Sequence, residues 1–184
     1  MQLPTVLHVA AMPSTPLRRA LAPGFTLLEL LVTLAVLGIL AAVALPAQSR
    51  VIARNQVTAA ANDLFVAMQY ARQESVRRNG PVQVCGSVGG LDCDGGHWQQ
   101  WIVRSSAGEI LRRGHVPPAV SVQTVGLFAS GIQFRADGRF HQAGSRLQDG
   151  TLTVCSERAQ RRQALEALGG VQLRLPPSTV GECR

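Results

Sequence analysis

The 184-residue sequence predicts an α+β fold, with one long amino-terminal helix, membrane-spanning in its first half, packed on an antiparallel β-rich head. Three observations predict it. The run Phe25 to Leu45 has Glu29 as its only ionisable side chain. Beyond it, apolar residues recur at spacings of three and four as far as Ser75. From Pro81 onward the chain breaks into short β-rich runs separated by Gly, Pro, Asp and Ser clusters.

Segment 1–24 carries Pro4, Pro13, Pro16 and Pro23, reads as a leader without internal structure, and places Arg18 and Arg19 just before the apolar run. Those arginines should remain cytoplasmic. Segment 25–46 is long enough to cross about 30 Å of hydrocarbon. A secretory signal peptide is the competing reading, and Ala41-Ala42-Val43-Ala44 imitates a cleavage site. Its apolar core, however, is typically about 7 to 15 residues, shorter than this run. Within hydrocarbon the Glu29 carboxylate costs about 2.5 to 3.5 kcal/mol even on a lenient scale, so it needs a partner or a role, or must snorkel to the cytoplasmic interface.

Segment 47–80 continues the helix with one apolar stripe of Val57, Ala61, Leu64, Met68, Ala71 and Ser75. Arg54, Asn62, Gln69, Arg72 and Gln73 lie mostly off that stripe. Pro46, where the halves meet, should bend the axis or mark the membrane exit. Asn79-Gly80-Pro81 ends the helix, because glycine suits a helix end and proline cannot continue one.

Segment 81–184 is the head. Its predicted strands are Val82–Cys85, His97–Arg104, Glu109–Gly114, Ala119–Val125, Ile132–Phe134, Thr151–Cys155 and Val171–Leu175. Ala107-Gly108 and Ala136-Asp137-Gly138 read as turns, and Gly86 to Gly96 as a loop. Arg158 to Leu168 has the composition of a helix but lies between two apparent strands, so a helix and an irregular loop both stay open. Proline-rich Leu175 to Val180 reads as the nearest thing to a linker. All four cysteines, Cys85, Cys93, Cys155 and Cys183, follow the apolar run, and an exported head would carry them into a disulfide-permitting compartment. Four cysteines allow three pairings, of which proximity favours Cys85 with Cys93 and Cys155 with Cys183. Such bridges contribute about 2.5 and 3.5 kcal/mol in the loop-entropy picture.

The net charge of +7 comes from 18 basic residues, all arginine. Charge of this size speaks to solubility and non-specific binding rather than to a fold or an activity. No arrangement points to catalysis: His8, His97, His115 and His141 have no evident serine or cysteine nucleophile beside them, so the chain reads as a non-enzyme that calls for no cofactor. Zinc on Cys85, Cys93 and His97 lacks a fourth ligand, and Asp92-Cys-Asp-Gly-Gly lacks the later acidic ligands of a calcium loop. Trp98 and Trp101 would point to opposite faces of a strand, with Trp101 in the core.

Gly24-Phe25-Thr26-Leu27-Leu28-Glu29 followed by an apolar helix resembles the processing site of type IV pilins and pseudopilins. The helix end Gln69 to Asn79, Pro81 to Cys85, Trp98 to Val103, Phe134 to Gly138 and Leu152 to Cys155 narrow the resemblance to the FimT, FimU and GspH branch of minor pilins and pseudopilins. It implies a pilin-like fold and cleavage after Gly24 by a prepilin peptidase, with methylation of Phe25. It also implies an inner-membrane precursor with a periplasmic head, then assembly with other pilins, where Glu29 pairs with the amino group of a neighbouring helix. The role expected is a minor pilin that starts or caps a pilus; the alternatives are a type II secretion pseudopilin and a DNA-binding minor pilin for DNA uptake. Some relatives in the branch bind DNA through a Gly-Arg-x-Arg motif, and the corresponding place here is Gly169-Gly170-Val171-Gln172, without either arginine. Arg158, Arg161, Arg162, Arg174 and Arg184 remain as candidates for non-specific phosphate contacts.

Overall fold

The computed structural model describes residues 24–95 and 97–183, except for the side chains of Val43, Leu45, Pro46 and Ala47. The expected leader with Arg18 and Arg19, as well as His8 and Arg184, lie outside the described residues. The chain divides into two units, one ending at Ala41 and one beginning at Ala42.

Helix α1 (Leu27–Arg77) runs through both units. It begins where Thr26 can cap it and continues through Pro46. In the first unit every large apolar side chain from Phe25 to Leu40 is at least half exposed. Among the described residues no helix is long and apolar enough to cross a membrane. The described side chains run unbroken only as far as Ala42, whereas the apolar run of the sequence reaches Leu45.

In the second unit α1 buries Ala53, Val57, Ala60, Ala61, Leu64, Ala67, Met68 and Ala71, a stripe at helical spacing. Alanine at five of these positions lets strands approach the helix closely, while Leu64 and Met68 supply the volume that fills the core. The helix stops in a Schellman motif: the Gly80 N–H donates to the Ser75 carbonyl at 3.1 Å and the Asn79 N–H to the Val76 carbonyl at 3.1 Å. The left-handed residue is Asn79 (φ 48°), not Gly80. Asparagine tolerates that conformation through its short polar side chain.

Among the described residues ten strands follow: β1 (Val82–Gly86), β2 (Gln100–Ser105), β3 (Ile110–His115), β4 (Ser121–Gly126), β5 (Ile132–Phe134), β6 (Phe140–Gln142), β7 (Gly150–Ser156), β8 (Arg161–Leu168), β9 (Gln172–Arg174) and β10 (Thr179–Val180). They form two antiparallel sheets, ordered β3-β2-β1-β5-β6 and β10-β8-β7-β4, with β9 also on β8. The Phe140 N–H donates to the Gly170 carbonyl at 2.8 Å, joining the sheets at one corner. Trp98, Phe128, Phe134, Phe140, Ile132, Leu152 and Leu165 pack with the α1 stripe into one core.

The head departs from expectation in three places. Arg158 to Leu168 is neither helix nor irregular loop: Glu157 to Gln160 turn, and β8 follows. Its Ala, Leu, Glu and Gln favour a helix only weakly, and pairing along seven residues of β7 prevails. Gln163, Leu165 and Ala167 point inward by alternation, which a helix could not arrange. Trp98 precedes β2 rather than lying in it, so both tryptophans are buried. Finally, the proline-rich tail is no linker, since Thr179 and Val180 pair with Arg162 and Arg161.

Candidate functional site

Thr26-Leu-Leu-Glu29 has the spacing of a capping box, in which the first hydroxyl satisfies an otherwise unpaired amide of the first helical turn. The Glu29 N–H donates to Thr26 Oγ1 at 3.2 Å and the Leu30 N–H to the Thr26 carbonyl at 3.1 Å. Thr33 returns its own hydroxyl to the Leu30 carbonyl at 2.9 Å. A carboxylate in this first turn also faces the positive end of the helix dipole. Glu29 therefore has a local role in the single chain, and its side chain remains exposed. Gly24 and Phe25 lie immediately ahead, Phe25 at 79% exposure. The apolar surface lies on every side of the helix from Leu27 to Leu40, a pattern that suits lipid or neighbouring helices and not water.

At the other end of α1, Glu74 is almost buried and accepts hydrogen bonds from Arg77 (2.6 Å) and Arg78 (2.8 Å). These bonds hold its carboxyl down to about 2. Arg78 also reaches Glu109 at 2.6 Å, joining the helix end to the start of the β2–β3 hairpin's second strand. Arg72, which lies off the apolar stripe in the sequence, is drawn inward. Its guanidinium donates to the Val171 carbonyl and sits 5.6 Å from the centres of both the Phe134 and Phe140 rings. Burial lowers its pKa from the usual arginine value. Planar, weakly hydrated arginine suits such stacking better than lysine would.

The cysteines form two disulfides, Cys85–Cys93 and Cys155–Cys183, the pairs that proximity favours. The first closes the glycine-rich loop after β1; the second ties the chain's tail to β7. None of the four is available as a thiolate for zinc. Trp98 donates to the Phe128 carbonyl at 3.1 Å and meets that ring edge-on at 6.1 Å. Trp101 lies over Gly114, where a Cβ would fall 2.0 Å from the indole, with Arg112 at 5.9 Å from the ring. Both are packing residues.

The arginines expected to meet phosphate do not form one face. Arg161 and Arg162 are successive in β8 and point to opposite sides of the sheet. Arg161 donates to the Ser178 hydroxyl at 2.8 Å, and Arg174 to Gln172 at 3.0 Å while standing opposite Glu166. Arg158 is exposed in the turn before β8. The missing arginine at position 170 has a physical reason: Gly170 has φ 68°, and a Cβ there would sit 2.9 Å from both Gln148 Cδ and the Phe140 carbonyl oxygen. A different group of basic residues, Arg135, Arg139, His141 and Arg146, lines a cleft with Phe140 and Gln148. Their scattered spacing gave no sequence signal; the Thr26 cap was also missed, although the T-x-x-E pattern is the signal that could have found it.

Residues 60–169 match the family model of type II transport protein GspH, and residues 22–45 match the prokaryotic N-terminal methylation motif. No curated protein matches the chain. Among solved structures it is similar to the type IV minor pilin FimU of Pseudomonas aeruginosa, at 18% identity over 67% of this chain and 90% of that one, with a TM-score of 0.49. It is also similar to the minor pseudopilin EpsH of the type 2 secretion system of Vibrio cholerae, at 10% identity over 66% of this chain and 96% of that one, with a TM-score of 0.48. The family assignment rests on the sequence models, the first of which covers more than half of the chain. With a head of two antiparallel sheets on a long amino-terminal helix and a methylation motif at that helix's start, the chain belongs to the family of type II transport protein GspH.

Proposed function

We propose that this protein is a minor type IV pilin, a structural subunit without catalytic activity that helps to start or cap a pilus. It is made as an inner-membrane precursor, cut by prepilin peptidase between Gly24 and Phe25, and methylated at Phe25. The observation that carries this reading is the uncovered apolar helix from Phe25 to Leu40, directly after the expected cleavage point and inside the methylation-motif match. Such a surface is stable in lipid before assembly and against neighbouring helices after it. Glu29 then exchanges its exposed position for a pairing with the amino group of an adjacent subunit, strengthened by the low dielectric around it.

Incorporation tests this directly. With Glu29→Gln, the precursor inserts and is cut, and mass spectrometry finds methylated Phe25 as the mature amino terminus, but the amount recovered in sheared filaments falls several-fold. Undiminished incorporation would leave the Glu29 carboxylate with its place at the positive end of the helix dipole alone, and an amino terminus at or after Ala42 would overturn the pilin reading. The family's description as a type II transport protein favours a second reading, a pseudopilin of type II secretion. Deletion of the gene separates the two: loss of pili supports the first, loss of protein secretion with pili intact the second.

A further inference from the structure

We propose that the cleft beside the β5–β6 hairpin binds a doubly charged phosphate group. The cleft has a volume of about 390 Å³ and is lined by Arg135, Arg139, His141, Arg146 and Gln148, with the buried Phe140 at its floor. Two chain segments bring the arginines together. The hairpin turn is closed by Arg135 N–H to the Arg139 carbonyl and Gly138 N–H to the Arg135 carbonyl, each at 2.8 Å. The loop after β6 is fixed by Gln142 N–H to the Leu147 carbonyl at 2.7 Å and Ser145 N–H to the Gln142 carbonyl at 3.0 Å. Behind the floor, Arg72 lies against the rings of Phe134 and Phe140, so the backing is packed.

Charge sets the ligand class. Asp137 is the acid of this turn; it stands 3.9 Å from Arg135 and accepts from the Arg139 backbone N–H at 3.0 Å. Among the described residues no carboxylate lies within ion-pair distance of the side chains of Arg139 or Arg146. Three guanidinium groups against one carboxylate leave a surplus of two positive charges, which a phosphate dianion matches. Guanidinium forks arriving from two segments suit the several oxygens of a tetrahedral anion, each accepting charge-assisted hydrogen bonds. Gln148 adds a neutral amide donor on the side where it packs against Gly170.

The test uses the full chain in a neutral detergent, titrated calorimetrically with pyrophosphate at fixed low ionic strength. Arg139→Gln with Arg146→Gln should weaken binding at least tenfold. Arg54→Gln with Arg113→Gln removes the same charge from exposed positions elsewhere and should change it less than twofold. Near-ultraviolet dichroism checks that each variant is folded; if the double variant is not, Arg146→Gln alone should still weaken binding several-fold. No saturable binding at millimolar pyrophosphate would overturn the proposal, and so would equal losses in the two double variants, which would make net charge the cause. A short DNA duplex, whose phosphodiesters carry one charge each, serves as competitor: undisturbed pyrophosphate binding supports a doubly charged group, and displacement at equal phosphate concentration would overturn it.

Discussion

The two parts of α1 are built from the same kinds of residue and live in opposite surroundings. Between Phe25 and Leu40 the large side chains stand free, with Leu31 and Leu34 each 57% exposed. Between Ala53 and Ala71 the inward positions are closed over completely, with Val57, Leu64 and Met68 at 0%. The uncovered part puts Leu, Val and Ile on all sides, while the covered part sets Val57 and Leu64 on a stripe, leaves Val66 outside it, and places alanine where strands approach. The difference teaches that apolar content alone does not make a core. The second part is covered by its own chain; the first, among the described residues, is not.

That contrast is most easily broken by truncating one leucine in each part. Leu64→Ala should destabilise the head by about 3 to 5 kcal/mol, since it removes a fully enclosed side chain and leaves a cavity. Leu34→Ala should leave head unfolding by urea within about 0.5 kcal/mol of the parent, because Leu34 is 57% exposed and lies outside the buried core of the described residues. Comparable losses would mean that the first part is covered after all.

Opening the disulfides has a smaller effect, and one that ranks by loop length. Replacing Cys155 and Cys183 with serine should cost about 3.5 kcal/mol and replacing Cys85 and Cys93 about 2.5, read from urea midpoints in oxidised protein. Helix capping comes next. Thr26→Ala removes the hydroxyl that accepts from Glu29 and should cost about 1 kcal/mol of local helix stability, seen as faster amide exchange at Glu29 with none at Leu64. The smallest effect lies at the far end of α1. Since Glu74 is held at about 2 against an ordinary 4.5, its contribution is complete above 4.5 and is lost as pH falls from there through 2. Glu74→Gln should flatten the stability profile across that window and leave the region above it parallel to the parent.

The long helix and its end were legible because each rests on local chemistry: period and the Asn-Gly-Pro stop. Most strands were legible as β-branched runs between turn residues. β8 was not, because Arg161 to Leu168 is written in helix-favouring residues and becomes a strand only through pairing with its hairpin neighbours β7 and β9, which composition alone does not announce. β6 and β10 were not read, because Phe140-His-Gln142 contains no β-branched residue and Thr179-Val180 is two residues in a proline-rich stretch. For the candidate sites, the amino-terminal segment was readable as a contiguous motif. The cleft of Arg135, Arg139 and Arg146 was not, since it exists only once the hairpin and the following loop have folded against Phe140. Arg72 shows the same limit: an arginine off the apolar stripe reads as solvated until two phenylalanines from another part of the chain stack beside it.

The two disulfides also give the head a mechanical property. A chain drawn out by its ends lengthens by roughly 3.3 to 3.6 Å for each residue released. The covalent loops hold sequence separations of 8 and 28, with their cysteine Cα atoms fixed 5.6 and 5.7 Å apart. About 110 Å of contour is thereby withheld from extension. Under load the oxidised head can yield through its helix and its unbridged strands. The tail from Cys155 to Cys183 remains a closed ring that tension passes by without stretching.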